Sequence, residues 1–80
     1  MTQPEAPVLE IDCRGLVCPA PVIELNRHLG DVEPGGLIAV VATDAAARVD
    51  VPAWCRMRGQ DYLGERAVDG GTAYLVRRLS

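Results

Sequence analysis

Gly15-Leu16-Val17-Cys18-Pro19-Ala20-Pro21 sets a cysteine directly ahead of two prolines one residue apart, and an apolar-periodic run follows. Proline suits the first helical turn, where amides have no intrahelical acceptor and its fixed φ already matches the helix. The stretch therefore predicts a helix with Pro19 at N1, Pro21 at N3 and Cys18 as N-cap. Uncapped amides and the positive end of the helix dipole favour a negative group there. The dipole contributes about 0.3–1 kcal/mol and at most about 2. That pulls a thiol pKa below its usual value of about 8.5. On this reading Cys18 is a usable nucleophile at neutral pH.

Outward from this stretch the elements follow in order. Upstream, Val8 to Cys13 carries β-branched and apolar residues over strand length, and Arg14-Gly15 ends it with a turn signal. Gly15 allows a φ > 0 turn before the cysteine. Downstream, Val22, Leu25, Leu29 and Val32 fall on one helix face, and Gly30 or Pro34-Gly35-Gly36 stops the helix. Leu37 to Ala42 is a continuous apolar run, as expected of a buried strand after a crossover helix. A second helix is expected from about Asp50 to Arg58, with Asp50 as N-cap, Pro52 in the first turn and Gly59 past the end. Val51, Trp54 and Cys55 share its inner face. Asp44 is placed to cap a short turn through Ala45-Ala46-Ala47. Tyr62 to Val68 and Thr72 to Leu79 read as two strands joined by a tight Asp69-Gly70-Gly71 turn.

The resulting order is βαβαββ. Two helices and four strands in so short a chain bury their apolar faces only as one helical layer on one sheet. With 80 residues there is one domain. Its net stability is expected to be modest, about 4–12 kcal/mol. Residues 1–7, with two prolines, one acid and little apolar periodicity, read as a flexible N-terminal arm, and residues 8–80 as the single domain. Phe is absent, so the core must come from Val, Leu, Ile and Ala.

Composition narrows the function classes. All eight basic residues are Arg, and eleven acids leave a net charge of −3, a poor match to a phosphate backbone. Direct nucleic-acid binding is not expected. No stretch approaches the length of a membrane span, and Met1 to Val8 lacks a basic n-region and an apolar h-region, which points to a cytoplasmic protein. Cys13, Cys18 and Cys55 are odd in number, so a complete internal disulfide framework is impossible and chemically used thiols in a reducing compartment are the simpler reading.

Ile11-Asp12-Cys13-Arg14-Gly15-Leu16-Val17-Cys18-Pro19-Ala20-Pro21-Val22, then Thr43-Asp44, then Asp50-Val51-Pro52-Ala53-Trp54-Cys55, closely resemble the TusA/SirA-like sulfur-carrier (sulfurtransferase) family. The resemblance covers about Leu9 to Leu79, and its hallmark is Gly-Leu-x-Cys-Pro-x-Pro at the first strand-to-helix junction. It implies an α+β two-layer sandwich, with a mixed four-stranded sheet in the order 1-2-4-3 covered on one face by two helices. It also implies that Cys18 is the catalytic residue. That cysteine takes sulfane sulfur from a donor protein of the cysteine desulfurase or rhodanese type, holds it as a persulfide and relays it to an acceptor protein. Gly15, Pro19 and Pro21 shape the site, no cofactor is required, and the protein is expected to be a monomer. Two positions depart from the pattern: Ala20 stands where many relatives have a charged or larger residue, and Ala45 stands where proline is usual.

The remaining candidates have competing readings. Cys13 is either a second thiol able to form a disulfide with Cys18 or a strand-end residue that happens to lie near it. Cys55 reads as packing. A zinc site from Cys13, Cys18, Cys55 and His28 lacks a C-x₂-C knuckle, and His28 sits about 15 Å along the helix from Cys18. No metal is therefore assigned, and His28 is paired with Glu24. Asp12 and Asp50 match acidic positions of the family pattern without a catalytic assignment. Arg14 and Arg27 read as solvated charges or as attractors of acidic partner surfaces.

Three functions remain open. The first is a sulfur carrier serving tRNA thiolation, cofactor biosynthesis, sulfur oxidation or selenium handling. The second is a non-catalytic interaction or regulatory module. The third is a Cys13/Cys18 thiol–disulfide redox protein.

Overall fold

The computed structural model describes residues 5–80. Its elements are β1 (Leu9–Cys13), α1 (Ala20–His28), a 3₁₀ turn (Leu29–Asp31), β2 (Leu37–Ala42), α2 (Ala47–Arg58), β3 (Asp61–Val68) and β4 (Gly71–Arg77). They form one sheet in the order β1-β2-β4-β3, the order expected. β1 runs parallel to β2, and β4 runs antiparallel to both β2 and β3. The chain is thus an α+β two-layer sandwich with a mixed sheet.

Every residue of β2 is buried, which explains its unbroken apolar run. The period-two alternation splits that run between two faces. Ile38, Val40 and Ala42 belong to the core shared with Leu25, Val51 and Trp54 of the helices. Ala39 and Val41 turn the other way, towards the Glu10, Arg14 and Arg66 side chains. Because β1 and β2 are parallel neighbours with Cys13 opposite Ala42, the loops leaving them start side by side.

Several boundaries move for identifiable reasons. β1 begins at Leu9, since Val8 contributes only its N–H to the Leu37 carbonyl (2.8 Å). The first helical bond of α1 runs from the Ile23 N–H to the Pro19 carbonyl (3.0 Å). Pro19 is therefore the N-cap and Pro21 occupies N2, so the expected N1 and N3 positions are each one residue off. Cys18 precedes the cap rather than forming it.

α2 starts at Ala47, not near Asp50. The Asp44 carboxylate accepts the Ala46 N–H (3.0 Å), and the Ala47, Arg48 and Asp50 amides bond to the carbonyls of Asp44, Ala45 and Ala46. The chain is already wound when it reaches Asp50, which lies within the first turns and caps nothing. Pro52 consequently falls inside the helix. Gly59 ends α2 as expected, in the left-handed region at φ +70°.

The hairpin between β3 and β4 turns on Asp69-Gly70, with Val68 opposite Gly71 and Gly70 at φ +78°. β4 stops at Arg77 instead of Leu79. Of the expected arm, residues 1–4 lie outside the described residues. Residues 5–7 have no regular structure, and Glu5 pairs through both carboxylate oxygens with Arg77 (2.5 and 3.1 Å).

Beyond β4 the chain end is held by Gln60, the one buried polar side chain among the described residues. Its Nε2 donates to the Arg58 carbonyl (3.0 Å) and to the Ser80 carbonyl (3.3 Å). Its Oε1 accepts the Leu79 N–H (2.7 Å). Gln60→Ala should therefore destabilise the protein by about 0.5–1.5 kcal/mol, the net contribution of a typical hydrogen bond, since the backbone partners are only partly buried. Urea unfolding checks this, and an unchanged midpoint would show that the docked chain end adds no stability.

Candidate functional site

Cys18 sits in a turn between β1 and α1, and two residues that follow β2 hold that turn in place. Gly15 adopts φ +80°, as its place in the motif led us to expect, and its N–H donates to the Thr43 hydroxyl (2.9 Å). The Cys18 N–H donates to Asp44 Oδ2 (2.7 Å), while Asp44 Oδ1 takes the Ala46 N–H. Those two backbone bonds, Ala46 first and Cys18 second, hold the Asp44 carboxyl below the usual carboxylate range, so the clasp is ionised at neutral pH. The Cys18–Pro19 peptide is cis.

The three thiols differ sharply in access. Cys13 and Cys55 are buried, and only Cys18 is partly exposed. Cys13, at the end of β1, belongs to the core and burial pushes its thiol pKa up. Cys55 is packed on the inner face of α2, and burial pushes its thiol up to about 11. Neither has the access that thiol–disulfide chemistry requires.

Cys18 corrects the electrostatic expectation. Its thiol is pushed up to about 11, not down, first by burial, then by hydrogen bonding to the Asp50 carboxylate, then by the negative charge of Asp50 and Asp44 and by Cys13. The first turn of α1 offers the sulfur little in return. The Cys18 amide is spent on Asp44, the Ala20 amide bonds the Val17 carbonyl, and Pro21 has no N–H. A dipole worth at most about 2 kcal/mol does not offset burial together with two carboxylates.

Asp50 reaches the thiol because α2 starts early. As an N-cap its carboxylate would turn back onto its own helix. From within the first turns it lines a shallow depression of about 230 Å³ with Pro19, Val22, Ala53, Trp54 and Met57. Sequence reasoning missed the Asp44 grip on Cys18 and the influence of the Asp50 carboxylate on its thiol. The signal for the first was available: residues just past the carboxyl ends of adjacent parallel strands meet at one edge of the sheet.

The other charged candidates are occupied elsewhere. Arg14 binds Asp12 through two bonds of 2.9 Å and donates to the Asp69 carbonyl (3.2 Å), so it is an exposed charge, as expected, that also ties β1 to the β3–β4 turn. Arg14 holds the Asp12 carboxyl down at about 2. Arg27 reaches Glu24 (3.5 Å). His28 lies between Glu24 (3.3 Å), as expected, and Asp31 (2.9 Å).

Comparisons with known proteins point one way. A family model described as Sulfurtransferase TusA matches residues 9–78. The Sulfur carrier protein TusA of Pseudomonas syringae pv. syringae is 39% identical over 71 residues, covering 89% of this chain and 84% of that protein. The Sulfur carrier protein TusA of Pseudomonas fluorescens is 35% identical over 82 residues, covering 100% of this chain and 99% of that protein. A crystal structure of a SirA-like protein from Desulfitobacterium hafniense superposes with a TM-score of 0.71 at 25% identity, covering 88% of this chain and 95% of that one.

The raised thiols set a pH dependence. Alkylation of Cys18 by iodoacetamide should rise about tenfold per pH unit from pH 7 to pH 10, because only the thiolate reacts. The rise should level off near pH 11 rather than near that of a free thiol. Stability follows the same groups. All three thiols hold their protons more tightly folded than unfolded, so this contribution is complete below the unfolded value of about 8.5 and is lost as pH rises towards 11. Urea midpoints at pH 7 and pH 10 check the sign, and a higher midpoint at pH 10 would contradict it.

Proposed function

Because the chain belongs to the TusA sulfurtransferase family, we propose that it is a sulfur carrier whose Cys18 accepts sulfane sulfur from a donor protein and passes it to an acceptor protein. The observation that carries this reading is the sorting of the thiols: Cys18 alone of the three is partly exposed. In loading, the Cys18 sulfur attacks the outer sulfur of a donor persulfide, R–S–SH. A new S–S bond forms on Cys18 as the donor's own S–S bond breaks. The departing donor thiolate takes up the proton that Cys18 gives up, so Cys18–SH and R–S–SH become Cys18–S–SH and R–SH. Unloading repeats the step with an acceptor thiolate attacking the outer sulfur.

Gly15, Pro19 and Pro21 shape the turn that presents Cys18, and no metal or cofactor is needed for either step. The donor is a cysteine desulfurase or a rhodanese, and the carrier works as a monomer in the cytoplasm, where thiols stay reduced. In the free carrier at pH 7, a thiol with pKa about 11 leaves about one Cys18 in ten thousand ionised. Loading thus depends on what a docked partner does to the thiol.

Incubation with a cysteine desulfurase and cysteine, followed by intact mass measurement, tests the proposal. The protein should gain about 32 Da per sulfur, and dithiothreitol should remove it. Cys18→Ser should abolish the gain and Cys55→Ser should leave it. If Cys13→Ser also abolishes loading, a paired-thiol route replaces the single-cysteine one. Rhodanese with thiosulfate is the second donor, and failure with both on folded, reduced protein would overturn the carrier reading.

A further inference from the structure

Among the described residues, the charged neighbours of Cys18 are carboxylates and none is a cation. Asp50 approaches from α2, Asp44 from the turn before α2, and the third neighbour is the Cys13 thiol of β1. Arg14, Arg27, Arg48 and Arg77 are paired with Asp12, Glu24, Glu65 and Glu5. No ion pair among the described residues engages Asp44 or Asp50. Asp44 at least has two backbone amides on its oxygens, whereas the Asp50 carboxylate, which lines the depression beside Pro19, has neither a backbone amide nor an ion-pair partner among the described residues.

Beside this negative mouth the surface turns apolar. The depression between α1 and α2 has Trp54 in its wall and continues past Met57 to Ile23, Asn26 and Arg58, the last lying eight residues along α2 from Asp50, about 12 Å away. Met57 is 81% exposed and Ile23 53% exposed, large side chains for a helix surface to leave in water. The acid and the groove are contiguous, because Asp50 and Met57 line the same depression.

We infer that this depression seats a protein segment carrying a Lys or Arg beside its reacting cysteine and an apolar residue next to that cation. The cation pairs with Asp50, and the apolar side chain enters the groove between Val22, Trp54 and Met57. The inference rests on Cys18 being the sulfur-accepting residue, and it names the partner's chemistry at that site. Charge complementarity carries it: a thiol beside two carboxylates ionises more readily when positive charge is brought to them, and no ion pair among the described residues supplies it to Asp44 or Asp50. A cation on Asp50 withdraws the carboxylate from the thiol proton and offsets its charge. The Cys18 thiol, raised in the free carrier, then falls towards the working range as the partner arrives. A nucleic-acid phosphate is repelled by the same mouth.

Peptide disulfides test this without sulfane sulfur, so the outcome is independent of whether the protein gains mass from a donor. The probes are the symmetrical disulfides of three blocked tripeptides, Leu-Lys-Cys, Leu-Glu-Cys and Ser-Lys-Cys. Cys18 attacks one peptide sulfur, the peptide disulfide breaks, and the freed peptide thiol takes up the proton that Cys18 loses. Rates at pH 7 and low salt are divided by those for N-acetylcysteinamide, which removes differences in the reagents themselves.

Leu-Lys-Cys should react about tenfold faster than Leu-Glu-Cys, the scale of one close charge pair near a protein surface. It should also outpace Ser-Lys-Cys severalfold, the contribution of one seated apolar side chain. Asp50→Asn should collapse the Lys-over-Glu preference and lower the pH at which Cys18 alkylates. Asp50→Glu, which keeps the charge, should retain the preference, and high salt should weaken it. Equal rates for the Lys and Glu peptides, or a preference that survives Asp50→Asn, would overturn the cationic partner. Equal rates for the Leu and Ser peptides would overturn the groove as its seat.

Discussion

The site depends on one carboxylate. Asp44 spans two turns, with one oxygen on the Cys18 amide and the other on the Ala46 amide. It therefore fixes both the loop that carries the thiol and the start of the helix that carries Asp50. The sheet makes this possible, because parallel β1 and β2 end together at Cys13 and Ala42 and both following helices return over the same face. Thr43, one residue earlier, secures Gly15 at the other end of the same loop. A single consequence of strand order thus gathers residues 15–18, 43–46 and 50 from three parts of the chain.

The same arrangement sets the chemistry of the thiol. A helix start is commonly read as a place where cysteine ionises easily, since the dipole and free amides favour the thiolate. Here the amides are spoken for, and two acids stand beside the sulfur. The result suits a carrier better than an enzyme that must react with whatever diffuses in. A permanently ionised, exposed thiolate is the form most prone to oxidation between encounters. A protonated thiol waits.

Much of the fold was legible because its signals are local. The apolar run Leu37 to Ala42, the Gly59 stop and the Asp69-Gly70 turn appear where their residue types require. What misled was competition between neighbouring signals. Asp50 before Val51-Pro52 has the form of a cap, yet Asp44 caps first and the helix absorbs Pro52 in its interior. The pair Pro19 and Pro21 located the start of α1 to within one residue but said nothing of which oxygen the Cys18 amide finds. Arg14 read as a solvated charge and is exposed, but its bond to the Asp69 carbonyl, 55 residues on, is long-range and no local pattern announces it. Cys18 itself, as the thiol that is reachable, could be singled out from its motif. Its electrostatic state depended on long-range neighbours that no local pattern encodes.

The carrier chemistry also acquires a direction from this geometry. On the proposed assignment of Cys18, loading would add one sulfur there, and an S–S bond of about 2.05 Å would carry the reactive atom outward from the turn. Burial and hydrogen bonding to Asp50, the two leading reasons the bare thiol keeps its proton, act at the inner sulfur and weaken with distance. The outer sulfur is correspondingly freer to meet an incoming thiolate than the bare Cys18 thiol is to attack on its own. If Cys18 carries the sulfur, the empty form is the guarded one and the loaded form the more open one, which is the asymmetry a relay needs if sulfur is to be given up more readily than the empty thiol is lost to side reactions.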